Sequence, residues 1–290
     1  MNGFVNIIKP QGMSSALAVS LVKKKIFKEF GKQSIGHMGT LDPMASGVLP
    51  MGINQANRLF DYLLDKQKVY VAEFTFGYST DTLDSTGTTV ETTDFIPTES
   101  EIAEKCKDFV GEIDQIPPKF SAKSIGGRRG YELARQGVDF ELSPKKVTVL
   151  SFDLVEKLDD KTYKFVIKCK GGTYIRSLCR DLALTLGSLA VMSKLDRTGA
   201  GIFSYENAVP LQDFIDADTI KGLILPPDTV VSFPKLTLNE GQAQRLLNGI
   251  YDQKFAVNDG LYRVYVENSF TGIGVVEEEI LKIKTYVRDL

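Results

Sequence analysis

Hydrophobic and polar residues follow one another along this chain in two rhythms, and the rhythm assigns most of the elements. In "VYVAEFTFG" the period is two, with Tyr70, Ala72, Phe74 and Phe76 on one face, which reads as a strand. "KVTVLSFDLVEKL" and "YKFVIKCK" read as two more strands, and "GFVNIIKPQGMSS" as a short strand running into a turn. Helical spacing appears at Val19, Val22, Ile26 and Phe30, in a segment that Ser14 or Ser15 can cap and Gly31 can close. It returns at Ala56, Leu59, Phe60 and Leu63, and again at Ile175, Leu178, Leu182 and Leu186 in "TYIRSLCRDLALTLG". Thr98, three residues before Glu101, has the spacing of a capping box and starts a further helix. "STDTLDSTGTTVETTD" is polar and turn-rich. Strands and helices mix without a regular βαβ repeat, so the pattern predicts an α+β fold rather than a doubly wound sheet.

From about Pro234 the character changes. A short helix in "LTLNEGQAQRLLNG" precedes alternating strands that flank the turn residues Asn268 to Gly274. Two parts are expected: a main domain over 1–233 and a small β-rich module over 234–290.

Composition narrows the function classes. The chain has 290 residues, 43% hydrophobic and 25% charged, which is ordinary for a soluble globular protein and enough for a sizeable core. No apolar run approaches the length of a membrane span and the first residues lack the apolar centre of a signal peptide, so a cytoplasmic protein is expected. Cys106, Cys169 and Cys179 are scattered and there is one histidine, which suggests neither a disulfide framework nor a metal site. The net charge is −2, so any polyanion must be gripped by local positive charge.

Four constellations can carry chemistry. In "GHMGTLDPMASGVLP" one carboxylate, Asp42, stands among glycines, prolines and small apolar residues. It reads either as the starter of an Asp-Pro turn or as a reactive group held by a rigid loop. In "CKGGTYIRSLCRDL" a strand meets two glycines and then a helix, which places Thr173, Tyr174 and Arg176 near a helix N-terminus. Arg176 and Arg180 fall away from the apolar stripe; one of them can reach a carboxylate, the other reading is a solvated surface, and Arg180 is expected to be solvated. His37 has no second histidine or serine to build a triad with, which leaves a structural role, a phosphate contact or base stacking. Between Lys119 and Lys146, seven Lys/Arg stand against three Asp/Glu, interleaved with Phe120, Tyr131 and Phe140. Local basic charge with aromatics is what gripping RNA requires.

"KPQGMSS", "GHMGTLDPMASGVLP", "KVYVAEFTFGYSTDTLDSTG", "PPKFSAKSIGGRRGYELARQG" and "CKGGTYIRSLCRDLA" occur together, and in this order the chain resembles the TruB-type tRNA pseudouridine synthases over nearly its whole length. The resemblance implies a pseudouridine-synthase core with a mixed, largely antiparallel sheet and flanking helices, and a compact PUA-like RNA-binding module after it. It implies isomerisation of a uridine in the T-arm of tRNA, at position 55, without a cofactor. Asp42 would be the nucleophile, Arg176 its ionic partner, and Tyr70 would stack on the base and take or relay a proton. His37, Lys9, Lys123, Arg128, Arg129 and Tyr174 would contact RNA, with no obligate protein partner, a monomeric state and a possible accompanying tRNA-folding role. Two rival classes are an RNA-binding folding chaperone, which would not need Asp42, and a carboxylate glycosidase, which needs a second acid. Asp84 is the nearest candidate for that acid and reads better as a polar loop residue.

Overall fold

In the computed structural model, residues 1–63, 67–121, 124–125, 127–138 and 140–287 are described. Strand β1 (Gly3–Lys9) is followed by helix α1 (Ser15–Phe30), the short strand β2 (Ile35–His37) and β3 (Ser46–Ile53). The Ser14 hydroxyl accepts from the Leu17 amide as the N-cap of α1, and Gly31, with φ 71°, ends it. Asn54–Tyr62 is a 3₁₀ helix that buries Ala56 and Leu59, and β4 comprises Gln67–Phe76. Tyr70, Ala72, Phe74 and Phe76 are all buried on one face of β4, as the alternation predicts.

The main sheet runs, from one edge, through Val209–Pro210, β1, β3, Ala190–Ala200, β4, Thr162–Lys170, Lys145–Lys157 and Gly111–Gln115. Most neighbours are antiparallel. β1 with Val209–Pro210, and β3 with Ala190–Ala200, are parallel. Helix Glu99–Cys106 begins with the expected capping box between Thr98 and Glu101. Together with α1 and the helix Ile175–Thr185 it contributes to one continuous core, which includes Val22, Ile26, Phe74, Phe165, Leu178 and Leu182.

The central strand Ala190–Ala200 decides the site's position. Its Arg197 stands opposite Tyr70 of β4 on one side and Gly47 of β3 on the other. Sequence alternation does not reveal this strand, because it carries Lys194, Asp196 and Arg197 in its second half and the last of these is wholly buried.

After the main sheet, Lys235–Leu238, Gly260–Val266, Ser269–Glu277 and Ile280–Tyr286 form a separate four-stranded sheet with its own core around Val264, Val276 and Leu281. Ile273 and Val287 of this sheet region pack with Phe4, Val48, Leu59 and Phe203 of the main body. The expected turn from Asn268 to Gly274 is shorter than expected: Ser269 already begins the strand, and Gly272 lets the neighbouring backbone at Thr285 come close. Among the described residues no helix is long and apolar enough to cross a membrane.

Candidate active site

Asp42 lies in the loop between β2 and β3, and nearly every residue around it is tied down. The Ser15 hydroxyl, in the first turn of α1, donates to the Leu41 carbonyl and accepts from the Leu41 amide, both at 2.9 Å. The Gly12 amide donates to the Pro43 carbonyl at 2.7 Å, and the Ala45 amide to the Asp42 carbonyl at 3.0 Å. Arg197 donates from Nε to the Val48 carbonyl at 2.8 Å and from Nη2 to the Gly39 carbonyl at 3.1 Å. Gly47, with φ 108°, is required where β3 meets the central strand, because a Cβ there would run into the backbone of Arg197. The Asp42 turn is thus closed by backbone bonds, and its side chain is left free for another partner.

That partner is Arg176. Its Nε lies 2.9 Å from Asp42 Oδ2 and its Nη2 3.0 Å from Oδ1, a two-pronged pair. The same guanidinium donates to the carbonyls of Thr82 and Phe120, each at 2.9 Å, and its Nη1 stands 3.8 Å from Asp84 Oδ2. Only 5% of Arg176 is exposed. It falls away from the apolar stripe of its helix, as the spacing predicts, but into a polar interior. Gln115 orients the helix entry by accepting from the Tyr174 amide at 2.8 Å and donating to the Tyr174 carbonyl at 3.1 Å.

Asp84 is the polar loop residue that its sequence context suggests, but a buried one. It is 5% exposed, because the segment around it is drawn into the sheet: the Met192 amide donates to the Leu83 carbonyl and the Ser85 amide to the Met192 carbonyl. Its Oδ1 accepts from the Thr82 hydroxyl, the Thr86 amide and the Thr86 hydroxyl. Asp42, Arg176 and Asp84 form one chain of charges, and the threonines flanking Asp84 were the readable signal for it.

Burial pushes the Asp42 carboxyl above the usual carboxylate range, with Asp84 adding to the rise, while Arg176 and Lys9 oppose it. One edge of the side chain stays open, at 32% exposure. That edge faces a cavity of about 350 Å³, also lined by Lys68, Tyr70, Tyr174, Arg176 and Leu195. Tyr70 is almost fully buried, and burial holds its phenol protonated to higher pH, with Arg197 as the main opposing charge.

The structure therefore gathers Asp42, Tyr70, Tyr174 and Arg176 around one cavity. His37 lines a neighbouring cavity of about 280 Å³ with Met38, Phe60, Leu63, Ile202 and Lys68. Its Nδ1 accepts from the Gly39 amide at 3.3 Å, and burial, with the cations Arg197 and Lys68, keeps the imidazole neutral. Lys9 is a correction: as an RNA contact it would have to reach solvent, and it is fully buried, donating to the carbonyls of Pro10, Met13 and Ala45 at 2.8, 2.7 and 2.5 Å. It braces the underside of the Asp42 loop. Arg180 also departs from a solvated reading, bonding Asp181 and the Ile116 carbonyl. Lys123 lies outside the described residues, and Arg128–Arg129 pairs with Ser124–Ile125 as a two-stranded ribbon. Among the described residues no cluster of His, Cys, Asp and Glu is arranged to hold a metal ion.

The mixed sheet with its flanking helices and the separate β-rich C-terminal sheet put the chain among the pseudouridine-synthase folds. Solved structures titled as a Cbf5-Nop10-Gar1 complex and as an H/ACA RNP bound to a substrate RNA containing 2'-deoxyuridine share that fold. They have TM-scores of 0.68 and 0.69 at 24% and 22% identity, covering 99% of this chain and 84% and 85% of theirs. The model of the TruB family pseudouridylate synthase N-terminal domain matches residues 24–175, and that of the tRNA pseudouridylate synthase B C-terminal domain matches 176–232. The tRNA pseudouridine synthase B of Clostridium kluyveri is 38% identical, covering 99% of this chain and 100% of the relative. That of Rickettsia felis is 39% identical over 86% of this chain and 74% of the relative. The chain belongs to the TruB family of pseudouridylate synthases.

Proposed function

We propose that this protein converts a uridine in the T-arm of tRNA, at position 55, to pseudouridine, with Asp42 as the nucleophile. The observation that carries the reading is the Asp42 carboxylate, held by two prongs of a buried arginine at the wall of a cavity beside Tyr70. The relatives named tRNA pseudouridine synthase B support tRNA as the substrate.

The reaction breaks the C1'–N1 glycosidic bond, turns the base and forms a C1'–C5 bond, with loss of the proton from C5 and gain of one at N1. It is an isomerisation and needs no redox partner. Asp42 must be ionised to act, and burial works against that; Arg176 favours the charged form while leaving one edge of the carboxylate facing the cavity. Tyr70, held as a phenol, offers a ring for the uracil to stack on and a hydroxyl to relay the C5 proton. The target must leave the RNA stack, at a cost of a few kcal/mol. A neutral His37 is suited to fill the space it vacates. The segment with Lys123, Arg128 and Arg129 would close over the stem-loop, and the module expected over 234–290, with its four-stranded sheet from Lys235 to Tyr286, would act as a PUA-like extension of the RNA contact. We place this activity in the cytoplasm, in a monomer without an obligate protein partner.

The test is tritium release from a C5-labelled tRNA transcript. The parent protein releases tritium, the Asp42→Asn variant binds the transcript and releases none, and a transcript with cytidine at position 55 gives no product. Release by Asp42→Asn near the parental rate removes the nucleophile assignment. Binding without release by the parent favours an RNA chaperone.

A further inference from the structure

Lys68 and Arg197 were not among the residues that the sequence singled out, and the structure leaves both with unmatched positive charge. Arg197 is fully buried; Nε and Nη2 each meet a carbonyl and the neutral Tyr70 hydroxyl interacts with the guanidinium, while Nη1 itself has no hydrogen-bond partner and, among the described residues, no anion balances the charge. A Cβ placed on Gly39 would lie 2.9 Å from Lys68 Nζ and 3.5 Å from Arg197 Nη1, so the two cations converge over a residue that has no side chain, at φ 124°. Among the described residues no carboxylate forms an ion pair with either. Asp196, the acidic neighbour of Arg197, is occupied by the hydroxyls of Ser46 and Tyr205.

Two adjoining cations in a partly dry site repel each other and lose hydration, and an anion between them relieves both costs. If Arg197 were only scaffolding for the loop, a neutral residue at position 68 would serve that loop better than a lysine. Lys68 lines both the Asp42 cavity and the His37 cavity, so its ammonium is reachable from the side on which RNA would enter. Burial, then Arg197, lowers its pKa to about 8, which is the same field seen from the lysine. Lys68 is also two residues before Tyr70 on the same face of β4, about 7 Å along the strand. A base lying on Tyr70 brings a phosphodiester of its own nucleotide within reach of Lys68.

We propose that Lys68, backed by Arg197 over Gly39, seats the backbone phosphate beside the flipped uridine and so positions that nucleotide over Asp42. This rests on the functional reading above. No covalent step is added.

The experiment uses a T-arm stem-loop RNA with an uncharged methylphosphonate at the linkage either 5' or 3' to the target uridine, against the parent, Lys68→Gln and Lys68→Arg. The expected result is that Lys68→Gln weakens binding of unmodified RNA about tenfold, the worth of one charge-assisted hydrogen bond. One of the two methylphosphonates weakens the parent by a similar factor and costs Lys68→Gln nothing more, while Lys68→Arg stays within about threefold of the parent. Parental affinity in Lys68→Gln, or losses that add at both linkages, overturns the seat. If Lys68→Gln melts early, the parent and Lys68→Arg still decide, because a parent indifferent to both methylphosphonates overturns it too. Product formation on unmodified RNA is measured alongside. Turnover by the parent with additive losses removes only the Lys68 assignment, whereas no turnover at that uridine removes the functional reading and this assignment with it.

Discussion

Replacing Arg176 by lysine keeps a positive charge at the site and removes the fork that directs it. The guanidinium makes two bonds to Asp42, at 2.9 and 3.0 Å, and two to the carbonyls of Thr82 and Phe120, both at 2.9 Å. An ammonium on a flexible stem cannot reproduce the planar pair and still reach both carbonyls. Hydrogen bonds to charged groups contribute about 1.5–3 kcal/mol each, and the bond that lysine cannot replace falls on Asp42, the carboxylate proposed as the nucleophile. Together with the loosened carbonyls, a loss of about 3 kcal/mol of transition-state stabilisation is expected, or about 100-fold in kcat/KM. The pH profile carries a second, independent reading. Burial and Asp84 push the Asp42 carboxyl up, and Arg176 is the largest influence opposing them. Weakening it raises the pKa further, so the ionised form disappears sooner as pH falls and the acid limb of the profile moves to higher pH. The assay is the initial rate of tritium release from about pH 5 to pH 9, with thermal unfolding in parallel to confirm that the variant is folded. A folded Arg176→Lys protein within threefold of the parent, with its acid limb unmoved, would refute the reasoning.

Asp84→Asn should act with the opposite sign: removing a negative charge that raises the Asp42 pKa moves the acid limb to lower pH, as the same rate profile will show. Lys9→Met leaves three carbonyls without their donor and should lower stability by about 2–4 kcal/mol, read as a drop in the melting temperature, while the salt dependence of RNA binding stays parental. A flatter salt slope in that variant would mean that Lys9 touches RNA after all. Replacing Lys123, Arg128 and Arg129 together by alanine should weaken tRNA binding and reduce the log–log salt slope by about 0.7–0.9 for each phosphate no longer neutralised, measured as affinity across a salt series. An unchanged slope would shift the main RNA grip elsewhere.

The local elements were legible in the sequence because they follow from local physics. The alternation of β4, the Ser14 cap and Gly31 stop of α1, and the Thr98–Glu101 capping box each depend on residues a few positions apart. The reactive candidates were legible because Asp42, Tyr70 and Arg176 stand in distinctive short segments. Position in space was another matter. Lys9 was expected to contact RNA and became the buried brace of a loop, since three carbonyls that meet it come from residues 10, 13 and 45. Asp84 looked like a polar turn residue and became part of the charge chain, since its loop is bonded to Met192, more than a hundred residues away. The strand carrying Arg197 gave no alternating signal, because a fully buried arginine is compatible with a core only when particular carbonyls from other strands are waiting for it. Sequence therefore determined most of the local elements and which side chains are candidates for reactive chemistry. Only the tertiary structure decided which charges are desolvated and which partners meet them, because desolvation and pairing depend on the register of β3, β4 and the central strand, and register is a property of the closed sheet.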